Sequence, residues 1–278
     1  MMFMRDMQNK KQIDTIILGS SIGLNNIDGI TLEQESTVIS NVLNMSAFSM
    51  VTSHVYQLEP LFSLFPNLKR VIYSAQSLDF NYGTFSGKMD IQKLKEYIEQ
   101  DSKSSSLKYT WLAYKNFINI IKRRFTWEEK YMRHNSFGNL DFDHTGSSPL
   151  HIYGEDIIEK RWNNHFFMPT SHRSYQYLEK LIDKIKLKNI KFYFIAQPCR
   201  KELVRTDKNI KDILRKFHQK TEKISHNKNI GYLNLHKKLK LEDKYFADRI
   251  HLNDKGNKLV AKEIGYYIDQ KEKEALNE

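Results

Sequence analysis

Along this chain, short runs of apolar and β-branched residues take turns with stretches whose apolar positions recur every three or four residues. Residues 13–18 are β-branched and apolar apart from Asp14 and Thr15, and Gly19 ends the run. Such a run predicts a short buried strand, central and parallel. Ser20, Ser21 and Gly23 then make a turn, followed by a loop or short helix. Ser36 to Met45 predicts a second strand that ends in small and polar residues, Asn44 to Ser49. Over 50–65, Val51, Val55, Leu58, Leu61, Phe62, Leu64 and Phe65 mark a helix face, which Pro60 either interrupts or starts. A turn at Pro66-Asn67 leads into a third strand, Arg70 to Ala75.

From about residue 80 to 170 the pattern changes. Aromatic and charged residues mix, as in Trp111, Tyr114, Phe117, Arg123, Arg124, Phe125, Trp127 and Tyr131. Lys93 to Glu99 and Tyr109 to Ile121 predict helices, and Phe137 to Pro149 predicts a loop. This stretch reads as a helical insertion or lid rather than a βα unit. The rhythm then returns. Ser171 to Lys188 predicts a helix with Ser171 as N-cap and a stripe of Tyr175, Leu178, Leu181, Ile182 and Ile185. Ile190 to Ala196 is a strand ended by Gln197-Pro198. Ile210 to Ile224 is a basic amphipathic helix, and Ile230 to Leu235 a short strand. Asn253 to Tyr267 is the last helix, with Leu259, Val260, Ile264 and Ile268 on one face.

Strands separated by helices predict a parallel sheet covered on both faces. No internal repeat or low-complexity segment divides the chain, so residues 1–278 are expected to form one α/β domain with 80–170 inserted in it. Sites in such sheets lie at the carboxyl ends of the strands, which is where Ser21 falls.

Composition narrows the picture. A chain of 278 residues with 40% hydrophobic and 12% aromatic residues is long and apolar enough for a sizeable core. Its one cysteine, Cys199, excludes an internal disulfide and suits a reducing compartment. No apolar run approaches the roughly 20 residues that cross a bilayer, and the first residues do not read as a secretory signal. The expectation is a cytoplasmic protein without a transmembrane segment. The net charge of +11 suits an anionic partner: nucleic acid, acidic polysaccharide, a nucleotide cofactor or anionic lipid. The bland alternative is a Lys- and Asn-rich bias with solvated surfaces, and the scatter of the lysines favours it.

Two stretches near opposite ends could carry chemistry. Gly19-Ser20-Ser21 follows a strand directly. A serine there can project its hydroxyl into a crevice while backbone N–H groups of the turn stabilise an oxyanion. Alternatively, the two serines only cap the next helix. Serine needs a base to take its proton. Asp248-Arg249-Ile250-His251 offers one, since this spacing lets the carboxylate hold the imidazole N–H and leaves the other ring nitrogen for Ser21. The alternative is a solvent-facing loop histidine with Asp248 capping a turn.

Other candidates are weaker. Gly19 and Gly23 do not have the spacing of a dinucleotide fingerprint, and no phosphate-loop lysine follows. His134, His144, His151 and His165 match no zinc spacing, so no metal is expected. Cys199 has no indicated histidine partner and reads as a packed thiol. Arg123-Arg124 and Lys211 to Lys220 read as solvated surface rather than a nucleic-acid interface.

Gly19-Ser20-Ser21 after a strand and Asp248-x-x-His251 before the last helix resemble the SGNH (GDSL-like) hydrolase superfamily. The likeness is to its divergent branch near cell-surface polysaccharide acyl-transfer proteins, where Gly-Ser-Ser replaces Gly-Asp-Ser. His251-Leu252-Asn253-x-x-Gly256 is similar to the family's C-terminal block. The resemblance implies a flavodoxin-like three-layer α/β/α sandwich with a central parallel sheet. It also implies that Ser21 is the nucleophile and oxyanion donor, His251 the base and Asp248 the orienting acid. The second block's glycine aligns with Ser49. The third block's asparagine has no counterpart in Tyr73 to Asp79, so either Gln76 substitutes or that donor is missing.

The same resemblance implies a serine-dependent acyl-ester enzyme. The expected reaction is O-acetyl transfer to, or hydrolysis from, a bacterial capsular or surface polysaccharide or its precursor. Hydrolysis would need no cofactor, and acetyl-CoA or another acyl-CoA would be the donor for transfer. The partner would be a carbohydrate, including an anionic glycan, and not nucleic acid. The alternative is a catalytically silent SGNH-like module that binds glycan or assembles with biosynthetic proteins.

Overall fold

The computed structural model describes residues 10–81, 89–99, 143–147, 169–201 and 208–277. In chain order they form β1 (Thr15–Gly19), α1 (Ser21–Asn25), α2 (Gly29–Glu35), β2 (Val42–Asn44), α3 (Thr52–Gln57), β3 (Arg70–Ala75) and α4 (Ile91–Glu99). Then come α5 (His172–Leu187), β4 (Lys191–Ala196), α6 (Lys208–Asn227), β5 (Gly231–Asn234), α7 (Leu235–Leu239) and α8 (Asp254–Leu276).

The five strands pair in the order β2-β1-β3-β4-β5, all parallel. Side chains alternate across each strand and fill two cores. On one face, Ile16, Leu18, Val71, Tyr73, Phe192 and Phe194 pack against residues of α3, α5 and α6. On the other, Ile17, Ile72, Tyr193 and Ile195 meet Leu32 of α2 and Val260, Ile264 and Ile268 of α8. This is the three-layer α/β/α sandwich with a flavodoxin-like strand order. The order matters for function. From β1 the chain runs outward to β2, then returns to β3 on β1's other side. The loops leaving β1 and β3 therefore part, opening a crevice at the carboxyl edge.

Several elements depart from the sequence expectation. The second strand is only Val42–Asn44, whereas 36–41 is irregular. Ser36 Oγ and Thr37 Oγ1 donate to Asp269 on α8 at 2.6 and 2.7 Å, and the Ser40 N–H donates to Asp14 at 3.0 Å. The β-branched run is thus held by side-chain acceptors rather than by a strand ladder. Over 50–65, Pro60 lies at the start of a 3-10 helix, Glu59–Leu64, separate from α3. Ser171 occupies the N-cap of α5, but its side chain makes no capping bond. Val260, Ile264 and Ile268 form the buried apolar face of α8 as expected, while Leu259, at 38% exposed, lies off it. The basic helix runs longer than predicted, Lys208–Asn227.

The expected insertion lies mostly outside the described residues, including the helix expected over Tyr109 to Ile121. Its described parts are α4 and residues 143–147, and there the Thr145 carbonyl accepts from Asn44 N–H at 2.6 Å, extending the hydrogen bonding of β2. Among the described residues, no helix is long and apolar enough to cross a membrane.

At the opposite edge, Arg70 on β3 makes a bidentate pair with Glu272 on α8, at 2.6 and 2.9 Å. Burial opposes ionisation of both groups, and the pairing outweighs it, raising Arg70 and lowering Glu272. This clamp ties the far end of α8 to the sheet. Its near end then presents residues 248–253 at the carboxyl edge.

Candidate active site

β1 is buried along its length and stops at Gly19. A Cβ on Gly19 would lie 2.5 Å from the Ser74 carbonyl, so any side chain would pry β1 from β3 at their carboxyl ends. Ser20 then caps α1, its Oγ accepting from Ile22 N–H at 3.3 Å. Ser21 is the first residue of that helix and is partly exposed. Its N–H is one of the donors a helix start leaves without an intrahelical partner. The capping role falls to Ser20, which leaves the Ser21 hydroxyl for other work.

Residues 246–252 form a small antiparallel loop. Phe246 bridges Leu252, and Ala247 N–H donates to the His251 carbonyl at 2.9 Å. Asp248 uses both oxygens: Oδ1 accepts from the N–H groups of Ile250 and His251 at 2.9 and 2.7 Å, and Oδ2 faces His251 Nδ1 at 2.7 Å. It caps the turn and holds the ring at once. His251 Nε2 lies 2.9 Å from Ser21 Oγ. With Nδ1–H donating to the carboxylate, Nε2 is left to accept the serine proton. Asp248 and His251 are 5% and 4% exposed. Burial alone would raise the Asp248 carboxyl. The His251 charge, its ring N–H and the two backbone donors outweigh that and hold it below the ordinary value.

The other expected donors divide. β2 continues past its ladder, with Met45 N–H on Ile17 O and Ala47 N–H on Gly19 O at 2.8 and 3.2 Å. This sets residues 45–49 beside the turn that carries Ser21. Ser49 has φ 60, in the left-handed region glycine enters freely, and it is exposed. Gln76 is different. Its Nε2 donates to the carbonyls of Pro198 at 2.6 Å and Ile250 at 3.4 Å. Both amide hydrogens are thereby committed to backbone acceptors, so this side chain braces the histidine loop.

Sequence reasoning missed Asn26, which is fully buried. Its Nδ2 donates to Ile250 O at 3.0 Å and its Oδ1 accepts from Leu252 N–H at 2.9 Å. One amide thus brackets His251 on both sides. Nothing in the chain's local pattern marks it, because its partners lie 224 and 226 residues away. Asn26→Ala strands the buried Leu252 N–H and leaves the Ile250 carbonyl only its long 3.4 Å bond from Gln76, a loss of about 2–4 kcal/mol. It is expected to lower the midpoint of urea unfolding and to slow Ser21 chemistry at least tenfold with KM little changed. A variant as stable and active as wild type would refute this bracketing role.

Two of the weaker candidates have neighbours that the sequence does not reveal. Cys199 does have a histidine beside it, His236, with Sγ 3.7 Å from Nδ1. Burial nevertheless pushes the thiol up to about 12, so it stays protonated and inert. His144 lies 2.7 Å from Glu33 on the surface, while His134, His151 and His165 fall outside the described residues. Among the described residues, no group of three or more His, Cys, Asp or Glu side chains could hold a metal ion.

A hydrogen-bonded carboxylate, imidazole and hydroxyl beside helix-start N–H donors can activate serine for acyl transfer. No curated protein matches the chain. Among solved structures, it is similar to a lipase/acylhydrolase from Enterococcus faecalis, with 11% identity, 93% of this chain and 97% of the other covered, and a TM-score of 0.48. It is also similar to an acetyl xylan esterase, with 14% identity, 91% and 98% covered, and a TM-score of 0.45. Across residues 155–264, which include Asp248 and His251, the chain matches the family model of the GDSL-like lipases and acylhydrolases.

Proposed function

We propose that the protein is a serine-dependent acyl-ester enzyme working through a Ser21 acyl intermediate, with O-acetyl groups on a bacterial surface polysaccharide or its precursor as the substrate class. The observation that carries this is the continuous chain Ser21 Oγ–His251 Nε2 and His251 Nδ1–Asp248 Oδ2, at 2.9 and 2.7 Å. Ser21 Oγ attacks the ester carbonyl as His251 takes its proton. Asp248 steadies the imidazolium. The oxyanion is met by the N–H groups of Ser21 and Ser49. His251 then returns the proton to the leaving sugar oxygen, and water or a sugar hydroxyl removes the acyl group by the reverse steps. Acetyl-CoA would load the serine in the transfer direction.

The polysaccharide class is supported by the resemblance to surface-polysaccharide acyl-transfer proteins and by the net charge of +11, which suits an anionic glycan. We take the chain as one domain with residues 80–170 as an insertion within it. The commitment of Gln76 to Pro198 and Ile250 favours a second reading, a silent glycan-binding module, because this amide is then not available to the oxyanion. The two readings separate on intact-protein mass after a fluorophosphonate. One adduct on wild type, lost in Ser21→Ala, is the expected result. An unlabelled wild type would move the binding module to first place.

A further inference from the structure

A second buried carboxylate lies beside the same serine. Asp79, in the 3-10 helix Ser77–Phe80 that follows β3, is 4% exposed. Its Oδ2 accepts from Gln76 N–H at 2.7 Å, and the Ser20 hydroxyl donates to the same carboxylate. Ser20 immediately precedes Ser21. Gln76 in turn grips Ile250 O, immediately before His251. Asp79 is therefore the joint of a polar chain running Ser20–Asp79–Gln76–Ile250, which links the serine turn to the histidine loop independently of Asp248. Ser20 stands where the Gly-Asp-Ser pattern carries its carboxylate. Here that charge arrives from 59 positions further along the chain.

We propose that Asp79 is a positioning residue for the Ser21–His251 pair, its ionised carboxylate fixing the Ser20 turn and adding negative charge toward His251. This rests on the acyl-enzyme function proposed above. Among the described residues, the groups facing Asp79 are few. Ser20 and His251 come from the turn after β1 and the loop before α8. Thr52 of α3 donates to the Asp79 carbonyl at 2.9 Å and meets the Tyr73 hydroxyl, also at 2.9 Å. Burial and the nearby Asp79 charge drive Tyr73 far above its ordinary value, so it stays neutral. The buried residues that α6 turns toward this corner are Ile210, Leu214 and Phe217, all uncharged.

Burial pushes the Asp79 carboxyl up to about 6, against the opposing pull of Ser20, Gln76 N–H and the His251 charge. A carboxyl raised on folding adds stability below its unfolded pKa and loses it as pH rises through its folded one. Ionised Asp79 thus costs stability at neutral pH.

The test is Asp79→Asn in the full chain, with p-nitrophenyl acetate as substrate and the fluorophosphonate as serine probe. The expected kcat falls about 10–100-fold with KM unchanged, while Tm at pH 8 is equal or higher. Below about pH 6, wild-type kcat/KM should fall more steeply than that of the variant, because only the wild type has the Asp79 carboxylate to protonate there. Ser20→Ala, which keeps the carboxylate, should slow the reaction yet retain the steep limb. Unchanged kcat and slope in Asp79→Asn, or a loss of activity matched by a loss of Tm, would overturn the proposal alone. A wild type inert to both reagents would overturn it together with the acyl-enzyme function.

Discussion

Ser21→Ala is expected to reduce kcat/KM for p-nitrophenyl acetate by at least about a thousandfold, leaving only the residual that oxyanion donors and binding supply. The hydroxyl does not carry the fold. Ser20 holds the helix cap, and Ser21 Oγ contacts His251 Nε2 at a partly exposed position. Tm should therefore move little. Because the serine and histidine act as a unit, His251→Ala should cost about as much, and the double variant scarcely more than either. Additive losses in the double variant would mean that the two residues act independently, and the serine–histidine mechanism would fall.

How far this site can be read from sequence depends on the range of its contacts. Gly19-Ser20-Ser21 and Asp248-x-x-His251 are local patterns. Turn geometry and Asp–His spacing operate within a few residues, so both stretches are legible. So are β1, β3 and β4, where runs of buried apolar residues have only one sensible partner state. Ser36 to Asn41 misleads because β-branched residues usually signal a strand. Here Asp269, more than 230 residues away, takes the Ser36 and Thr37 hydroxyls instead. Asn26, Gln76 and Asp79 share that difficulty. Their partners are backbone groups or side chains brought together only when β1 and β3 pair and α8 docks. Gln76 invites the wrong chemistry: it is an amide at the right block, yet its hydrogens are spent on carbonyls.

Asp248→Asn should be nearly as damaging as loss of the serine. In a serine protease triad, the same exchange lowered kcat roughly ten-thousandfold by favouring the wrong imidazole tautomer. The geometry transfers. An amide nitrogen in place of Oδ2 would present N–H to His251 Nδ1, which must then accept, so Nε2 would carry the proton and could not receive another from Ser21. The substituted side chain would still cap the turn through its oxygen to the Ile250 and His251 N–H groups, so the loop should persist. The pH dependence of stability gives an independent check. The folded Asp248 pKa is depressed, so this carboxylate stabilises the chain above its unfolded value and loses that contribution as pH falls through the folded one. The variant should therefore show a shallower loss of unfolding free energy below the ordinary carboxylate range, together with a rate that recovers at high pH, where hydroxide can substitute for the base. A variant with wild-type kcat at pH 7 would remove Asp248 from the mechanism.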